Sequence, residues 1–517
     1  MSNPATPQGP YNAAVDVLER NLGARGDKVA FIDPAGRHTF ADVATRAAQA
    51  GAALLDLGLA PGDRVALILL DGIDFVCAFL GAIRAGLIPI ALNTLFPADD
   101  YAYILVDSGA RAVIVSDPLR PVVAAARAAS GWSGVTVVAR GADDAFAART
   151  ARAAPNRPPH ASLADDVAFW LYSSGSTGRP KGAPHRHASI AATAELFGRQ
   201  VLGLRESDIV FSAAKLFFAY GLGNALTFPM TVGATAVLFP DRVTPDAVAE
   251  RLVRDGVTVF CGAPTLYAAI LASPHMPRVA ESGVRLCLSA GESLPAEIGK
   301  AWTRATGVEI VDGIGSTEML HIFISNRPGA VRYGTTGVPV PGYEARLVGD
   351  DGAEVGGRDI GELLVRGPSM TTGYWNQPEK TRAAFVDGWM HTGDKFERDA
   401  DGAYIHRGRA DDMLKVSGIW VSPVEVEAAL IAHDAVLEAA VIGVEDEAGL
   451  TKTKAFVTLT PGAPPASDAL AEDLKRFVKS RLAPYKYPRM IEFVDALPKT
   501  ATGKIRRHVL REQARQP

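Results

Sequence analysis

The sequence predicts an α/β protein of more than one domain. A large N-terminal domain of parallel α/β sheets carries a small antiparallel β subdomain, and a small α+β domain follows at the C-terminal end. Three observations predict this. The chain has 517 residues, long for one compact core. Continuous apolar runs alternate with helical periods through its first three hundred residues, the pattern of parallel sheets covered on both faces. Past residue 330 the strands shorten and Gly-rich turns separate them, the pattern of an antiparallel meander.

Taken in order, "RVALILL" (64–70) reads as a strand, "IDFVCAFLGAIRAG" (73–86) as a helix and "LIPIALN" (87–93) as the next strand. "RAVIVS" (111–116) and "VTVVAR" (135–140) flank a further helical stretch, and "DVAFWLY" (166–172) is a strand. "TPDAVAERLVRDG" has both helix ends marked, with Thr244 as cap, Pro245 at the first helical position and Gly256 at the close. "VTVFCG" (257–262), "VRLCLS" (284–289), a helix near 295–305 and "VEIVDG" (308–313) repeat the alternation. "YEARLV", "GELLVR" and "AYIHRG" supply the short strands of the subdomain. The polar stretch "GRADDMLKVSG" (408–418) marks a boundary. A helix over 423–432, strands near 438–444 and 454–460 and a helix over 468–482 follow it, so the domains are expected at 1–410 and 411–517.

Composition is that of an ordinary globular protein, 48% hydrophobic and 21% charged. The formal net charge of −4 gives no footprint for a nucleic-acid partner. Cys77, Cys261 and Cys287 lie far apart in apolar runs, which suits buried thiols in a reducing compartment and neither a disulfide framework nor a zinc site. The opening "MSNPATPQGP" is polar and proline-rich, unlike a signal peptide, and no apolar run reaches the roughly 18 residues of a membrane span. The expectation is a soluble, cytoplasmic protein with no membrane partner; nothing decides between a monomer and a homodimer.

The most informative stretch is "YSSGSTGRPKGAPH" (172–185). Gly175 and Gly178 let backbone N–H groups turn toward an anion, Ser173, Ser174, Ser176 and Thr177 add hydroxyl donors, and Lys181 adds a full positive charge. The combination suits a polyphosphate. It differs from a P-loop, whose Gly-Lys-Ser/Thr runs straight into a helix; here Pro180 removes a backbone donor and biases Arg179 away from helical angles.

This stretch closely resembles the signature of the adenylate-forming superfamily, which includes acyl-CoA synthetases, firefly luciferases and the adenylation domains of peptide synthetases. Further motifs follow in the family's order: "LSAGESLP" (288–295), "DGIGSTE" (312–318), "WMHTGD" (389–394), "GRADDMLKVSG" and "PKTATGK" (498–504). The resemblance implies two half-reactions. A carboxylate attacks the α-phosphorus of ATP to give an acyl-adenylate and pyrophosphate, and a thiol, here coenzyme A, then displaces AMP. It implies that Lys504 bridges the carboxylate and the α-phosphate, that Thr317 contacts the α-phosphate and that Glu318 helps hold Mg²⁺. Asp394 would accept the ribose hydroxyls, with Arg409 reaching ribose or phosphate. Gly291, Glu292 and Ser293, with Asp312 and Gly313, would line the adenine. Many relatives carry an aromatic where Ile314 stands, so the adenine would meet an aliphatic face here. The C-terminal domain would be a mobile lid hinged at Asp411. After adenylation it would swing Lys504 out and bring "KVSGIW" (415–420) in, with Gly418 and Trp420 beside the pantetheine arm.

"KLFFAYGLGNALTFPM" (215–230) falls where relatives place the acyl pocket. Peptide-synthetase domains carry an Asp at its start to hold an amino group; Lys215 to Tyr220 include no carboxylate, which disfavours an amino-acid substrate. The chain ends soon after Lys504, so no carrier domain is expected to follow. Together with "GIGSTEMLHIF", the segment looks most like bacterial benzoate-CoA ligases, which implies a ring pocket of Ala219, Tyr220, Ala290, Gly315, His321 and Ile322. Small residues would leave a flat slot, with Tyr220 and Ile322 as apolar walls and His321 near the far edge of the ring. Phe217 and Phe218 read as core. The expected activity is an AMP-forming aryl-CoA ligase acting on benzoate or a hydroxy- or aminobenzoate. An aliphatic acyl-CoA ligase, luciferase-like oxidation of the adenylate and a non-catalytic nucleotide or acyl-CoA sensor are the alternatives.

Overall fold

The computed structural model of the chain describes residues 9–141, 143–173, 179–416, 419–445, 451–483, 485–499 and 505–515, without the side chains of 415, 419, 420 and 515. Among these residues two large sheets dominate the N-terminal part. A six-stranded sheet runs Val135–Val138, Ala112–Val115, Arg64–Ile68, Ile88–Ala91, Val167–Ser173, Lys181–Arg186. A nine-stranded sheet runs Val338–Pro339, Ile322–Ser325, Ile310–Gly315, Leu286–Ser289, Val259–Gly262, Ile209–Ser212, Thr235–Val237, Val29–Asp33, Gly36–Thr39.

Interior neighbours pair in parallel, as the continuous apolar runs predict. The edges depart from the parallel expectation. Val167–Ser173 and Lys181–Arg186 pair antiparallel, as do Ile310–Gly315 with Ile322–Ser325 and Val29–Asp33 with Gly36–Thr39. The connections explain it: each is far shorter than the dozen or more residues a parallel crossover needs.

Local signals build the helices as read. Thr244 Oγ1 accepts the N–H of Ala247 (3.2 Å), Pro245 opens the helix Pro245–Arg254, and Gly256 leaves it at φ +65°. The structure adds a helix, Phe40–Asp56, set by a capping box in which Thr39 Oγ1 and the Asp42 carboxylate each accept the other residue's N–H. It packs on Ile73–Arg84 through Gly51 and Gly81, where a Cβ on Gly81 would lie 2.5 Å from the Ala47 carbonyl oxygen. All three cysteines are buried and free, and burial pushes the Cys77 and Cys287 thiols up to about 12.

The strands Glu344–Val348, Gly361–Arg366, Phe385–Val386, Trp389–Arg398 and Tyr404–Arg409 form the antiparallel subdomain. Beyond it comes the hairpin Leu414–Val416/Ile419–Val421, then the helix Pro423–Ile431 and a three-stranded sheet. In that sheet the helix Asp468–Arg481 lies in the crossover between the parallel strands Thr451–Leu459 and Met490–Phe493. This C-terminal segment packs a core of its own around Val421, Val426, Leu430, Val457 and Leu474. Among the described residues no helix is long and apolar enough to cross a membrane.

Candidate functional site

The parallel strands end on one side, and the carboxyl ends of such strands are where open α/β sheets bind ligands. Ser173 closes its strand and stands directly opposite Lys181, the first residue of the next strand, in the antiparallel register. Between them in sequence stand Ser174, Gly175, Ser176, Thr177 and Gly178. These five, with Gly418, the Trp420 side chain and Lys504, lie outside the described residues.

Thr317 and Glu318 follow the strand Ile310–Gly315 and come to the same place. His185 Nε2 donates to the Thr317 carbonyl (2.9 Å), and the N–H of Thr371 donates to the Glu318 carbonyl (2.8 Å), so a strand and a connecting segment clamp the backbone from two sides. Burial holds the His185 ring neutral, at about 4, which keeps it from adding a charge beneath the site. The Tyr374 hydroxyl donates to Glu318 Oε1 (2.9 Å), and Ser173 Oγ lies 3.5 Å from the same oxygen. Lys181 Nζ sits 4.1 Å from the centre of the Tyr374 ring. Burial lowers the lysine's affinity for its proton, and the Glu318 carboxylate opposes that shift. Tyr374 thus joins the cation and the carboxylate, 56 residues from Glu318 in sequence, and no motif read above points to it. Tyr374→Phe keeps the ring under Lys181 but removes the bond to Glu318. It is expected to raise the KM for MgATP by about 10-fold, the scale of one hydrogen bond to a charged group. The KM of the acid should move far less. Initial rates at varied MgATP and varied acid check this.

Among the described residues no three His, Cys, Asp or Glu side chains gather as a metal nest. Glu318 nonetheless fits Mg²⁺, a hard cation that usually keeps one or two carboxylates and takes its remaining ligands from phosphate oxygens and water.

A second string of polar groups runs along the subdomain. Ser293 Oγ and His406 Nδ1 are 2.6 Å apart, and His406 Nε2 lies 3.6 Å from Asp394 Oδ1. Arg409 Nη1 lies 3.5 Å from Asp394 Oδ1 and donates to the Thr392 carbonyl (3.1 Å), while its Nε lies 3.6 Å from Asp411 Oδ1. Asp394 and Arg409 are partners across an antiparallel pair, which fixes their approach. His406 is a second residue that the sequence motifs do not indicate.

Gly291 turns the chain out of the strand Leu286–Ser289 at φ +96°, a conformation that favours glycine, and leads to Glu292 and Ser293. Opposite, Asp312 pairs with Ser289 in the sheet and Gly313 and Ile314 follow, with Ile314 half-buried against aliphatic and aromatic core. Asp312 is 7% exposed and its Oδ1 has no hydrogen-bond partner among the described residues. Burial pushes its carboxyl up to about 8, against hydrogen bonds from Ser289, Leu294 and Gly313. The group is therefore protonated at neutral pH in the folded chain and ionised in the unfolded one. Its contribution to stability is complete below about pH 4 and is lost as pH rises to about 8. Asp312→Asn should abolish that slope: the Tm of the wild type minus that of the variant is expected to fall steadily from pH 5 to pH 8 in thermal melts.

The aryl-pocket candidates also converge. Ala219 and Tyr220 open the helix Ala219–Leu222, and the Tyr220 hydroxyl donates to the Leu288 carbonyl (3.1 Å), two residues before Ala290. The rings of Tyr220 and His321 stack with centroids 5.7 Å apart. Gly315 meets the chain at His321, whose carbonyl oxygen would lie 2.6 Å from an added Cβ, so only glycine leaves this approach open. Ile322 is buried alongside. His321 is enclosed further by Phe228 and Phe197 at 4.6 and 5.2 Å, burial pushes its ring down to about 3, and its Nε2 points at the Tyr220 carbonyl oxygen (3.4 Å). Phe217 is buried in the core and Phe218 packs against the same cluster, as their apolar run predicts.

The profile of the AMP-binding enzyme family matches residues 18–375, and that of the AMP-binding enzyme C-terminal domain matches 425–504. The chain is 56% identical to a benzoate-CoA ligase of Thauera aromatica, over 97% of this chain and 96% of that one. Among solved structures it is similar to a benzoate CoA ligase from Burkholderia xenovorans LB400 (TM-score 0.92, 51% identity, 97% of this chain and all of that one). It is also similar to the anthranilate CoA ligase AuaEII in complex with anthranoyl-AMP (TM-score 0.95, 46% identity, 99% of each).

Proposed function

The chain belongs to the AMP-binding enzyme family, and we propose that it is an ATP-dependent aryl-CoA ligase, converting benzoate or a substituted benzoate, ATP and CoA to the aroyl-CoA, AMP and pyrophosphate. The observation that supports the reading is the convergence of the ring-pocket candidates. The rings of Tyr220 and His321 stack and Gly315 abuts His321, in a chain 56% identical to a benzoate-CoA ligase over 97% of its length.

The first half-reaction brings a carboxylate to a polyphosphate, so it needs fixed positive charge where negative charge accumulates. Lys181, with the donors of residues 173–178, takes the β- and γ-phosphates; Thr317, with its carbonyl clamped by His185, faces the α-phosphate. Mg²⁺ supplies the remaining charge neutralisation, with Glu318 as its protein ligand. Lys504 bridges the attacking carboxylate and the α-phosphate. Asp394 accepts the ribose hydroxyls, steadied by Arg409 and, through His406, by Ser293. The unpartnered Asp312 oxygen and Gly313 face the adenine, with Gly291, Glu292 and Ile314 around it. The slot of Ala219, Tyr220, Ala290, Gly315, His321 and Ile322 holds the ring and keeps water from the mixed anhydride.

For the second half-reaction the segment 411–517 turns as a lid on 1–410, bringing Gly418 and Trp420 toward CoA. Bonding on either side of Asp411 supports a hinge there. The N–H of Ala410 donates to the Gly393 carbonyl in the subdomain, whereas Asp412 pairs with Arg511 and Arg507 of the C-terminal helix. Asp411→Pro, which freezes φ at the pivot, is expected to slow thioester formation from supplied aroyl-AMP by at least about 10-fold while adenylation persists. An unchanged thioester rate would place the pivot elsewhere.

The deciding experiment is a panel of acids offered with ATP, Mg²⁺ and CoA. Benzoate is expected to give CoA-dependent AMP release and benzoyl-CoA, and hexanoate far less. Preference for hexanoate would favour an aliphatic ligase, and nucleotide binding without AMP release would favour a sensor.

A further inference from the structure

We propose that Asn224 makes the closed end of the ring slot a polar subsite for a hydroxyl or amino group carried on the ring. This deepens, and rests on, the aryl-ligase reading. Asn224 is 1% exposed, and neither its Oδ1 nor its Nδ2 has a hydrogen-bond partner among the described residues. Buried side-chain amides are almost always paired, so one left wholly unmatched calls for a ligand to match it.

Its surroundings say which ligand. Asn224 lies four residues after Tyr220 and four before Phe228, the spacing of neighbours along one helical ridge, and both of those rings pack on His321. The residue before it, Gly223, abuts the same imidazole so closely that a Cβ would run into Cδ2. The chain passes through a π-helical turn here, Gly223–Thr227, the kind of one-residue insertion that recurs at functional sites.

His321 brings the second unmatched group. Its Nε2 faces the Tyr220 carbonyl, so the proton belongs there and Nδ1 is left as an acceptor, buried and without a partner among the described residues. An unmatched amide with one acceptor and two donors, on the turn that abuts His321 through Gly223, and an unmatched imidazole acceptor together complement a group that both donates and accepts, which a phenolic hydroxyl or an aryl amine does and a bare C–H edge does not. The nearby Phe197, Phe228 and Ile322 are apolar and offer these atoms nothing.

The test compares kcat/KM for benzoate and for the 2-, 3- and 4-hydroxy- and aminobenzoates, in the wild type, in the near-isosteric Asn224→Leu and in the smaller Asn224→Ser. The wild type is expected to accept at least one substituted acid. In Asn224→Leu the ratio of that acid to benzoate should fall by at least about 10-fold, because a lost partner in a dry pocket discriminates far more than a change of shape. The unliganded Leu variant should melt no lower than the wild type, its unmatched amide being gone. Turnover of benzoate alone, a ratio unchanged in both variants, or a lower Tm with an unchanged ratio overturns the inference and leaves the ligase reading intact. Turnover of no aryl acid at all overturns both.

Discussion

Replacing Lys504 with alanine is expected to slow the exchange of labelled pyrophosphate into ATP by about 10²- to 10³-fold, the scale of removing one preorganised charge from a transition state. Formation of aroyl-CoA from supplied aroyl-AMP should stay close to the wild-type rate. The asymmetry follows from the sequence of events. Two anions meet in the first step, and there a lysine ammonium lowers the barrier directly. In the proposed second step a thiol meets an anhydride that is already activated, after a turn about Asp411 that would carry Lys504 away. Both half-reactions are measured on the same preparation, so a misfolded variant would lose both. Equal losses with an intact fold would remove Lys504 from its assigned role.

The second large effect is expected of Ala219→Phe. Ala219 opens the helix that presents Tyr220, is only partly buried, and touches the main core. A benzyl group there would fill the proposed ring slot, and neither proposed wall yields easily: Tyr220 is tied to the Leu288 carbonyl and Gly315 is pressed against His321. Well-packed sites accommodate added volume poorly. Benzoate turnover should drop by at least about 100-fold while MgATP binding, measured calorimetrically, persists, since Lys181 lies on the strand Lys181–Arg186 and Glu318 in the turn after Ile310–Gly315. Full activity in this variant would move the ring to another pocket.

These expectations use residues of two kinds. Lys181 stands in a stretch whose residue types point to its chemistry, a cation among glycines and hydroxyls, and Glu318, Asp394 and Lys504 stand in motifs whose family resemblance implies theirs. Tyr374 and His406 do not. Tyr374 sits in "TTGYW" with nothing local to mark it, and its value appears only when Val167–Ser173 and Lys181–Arg186 pair and bring Lys181 over its ring. His406 becomes a bridge because Trp389–Arg398 and Tyr404–Arg409 are antiparallel partners, placing it between Ser293 and Asp394.

The same division runs through the fold. Local chemistry was enough for the capped helix at Pro245, the buried parallel strands, the buried thiols and the change of texture past residue 330, because each depends on period, capping or burial that a short window contains. The antiparallel edges of both sheets, the Gly51–Gly81 helix contact and the isolation of Asn224 were decided by the tertiary structure alone. Each depends on which distant surfaces meet, and whether a buried amide goes unmatched is a property of its assembled neighbours, not of its own segment.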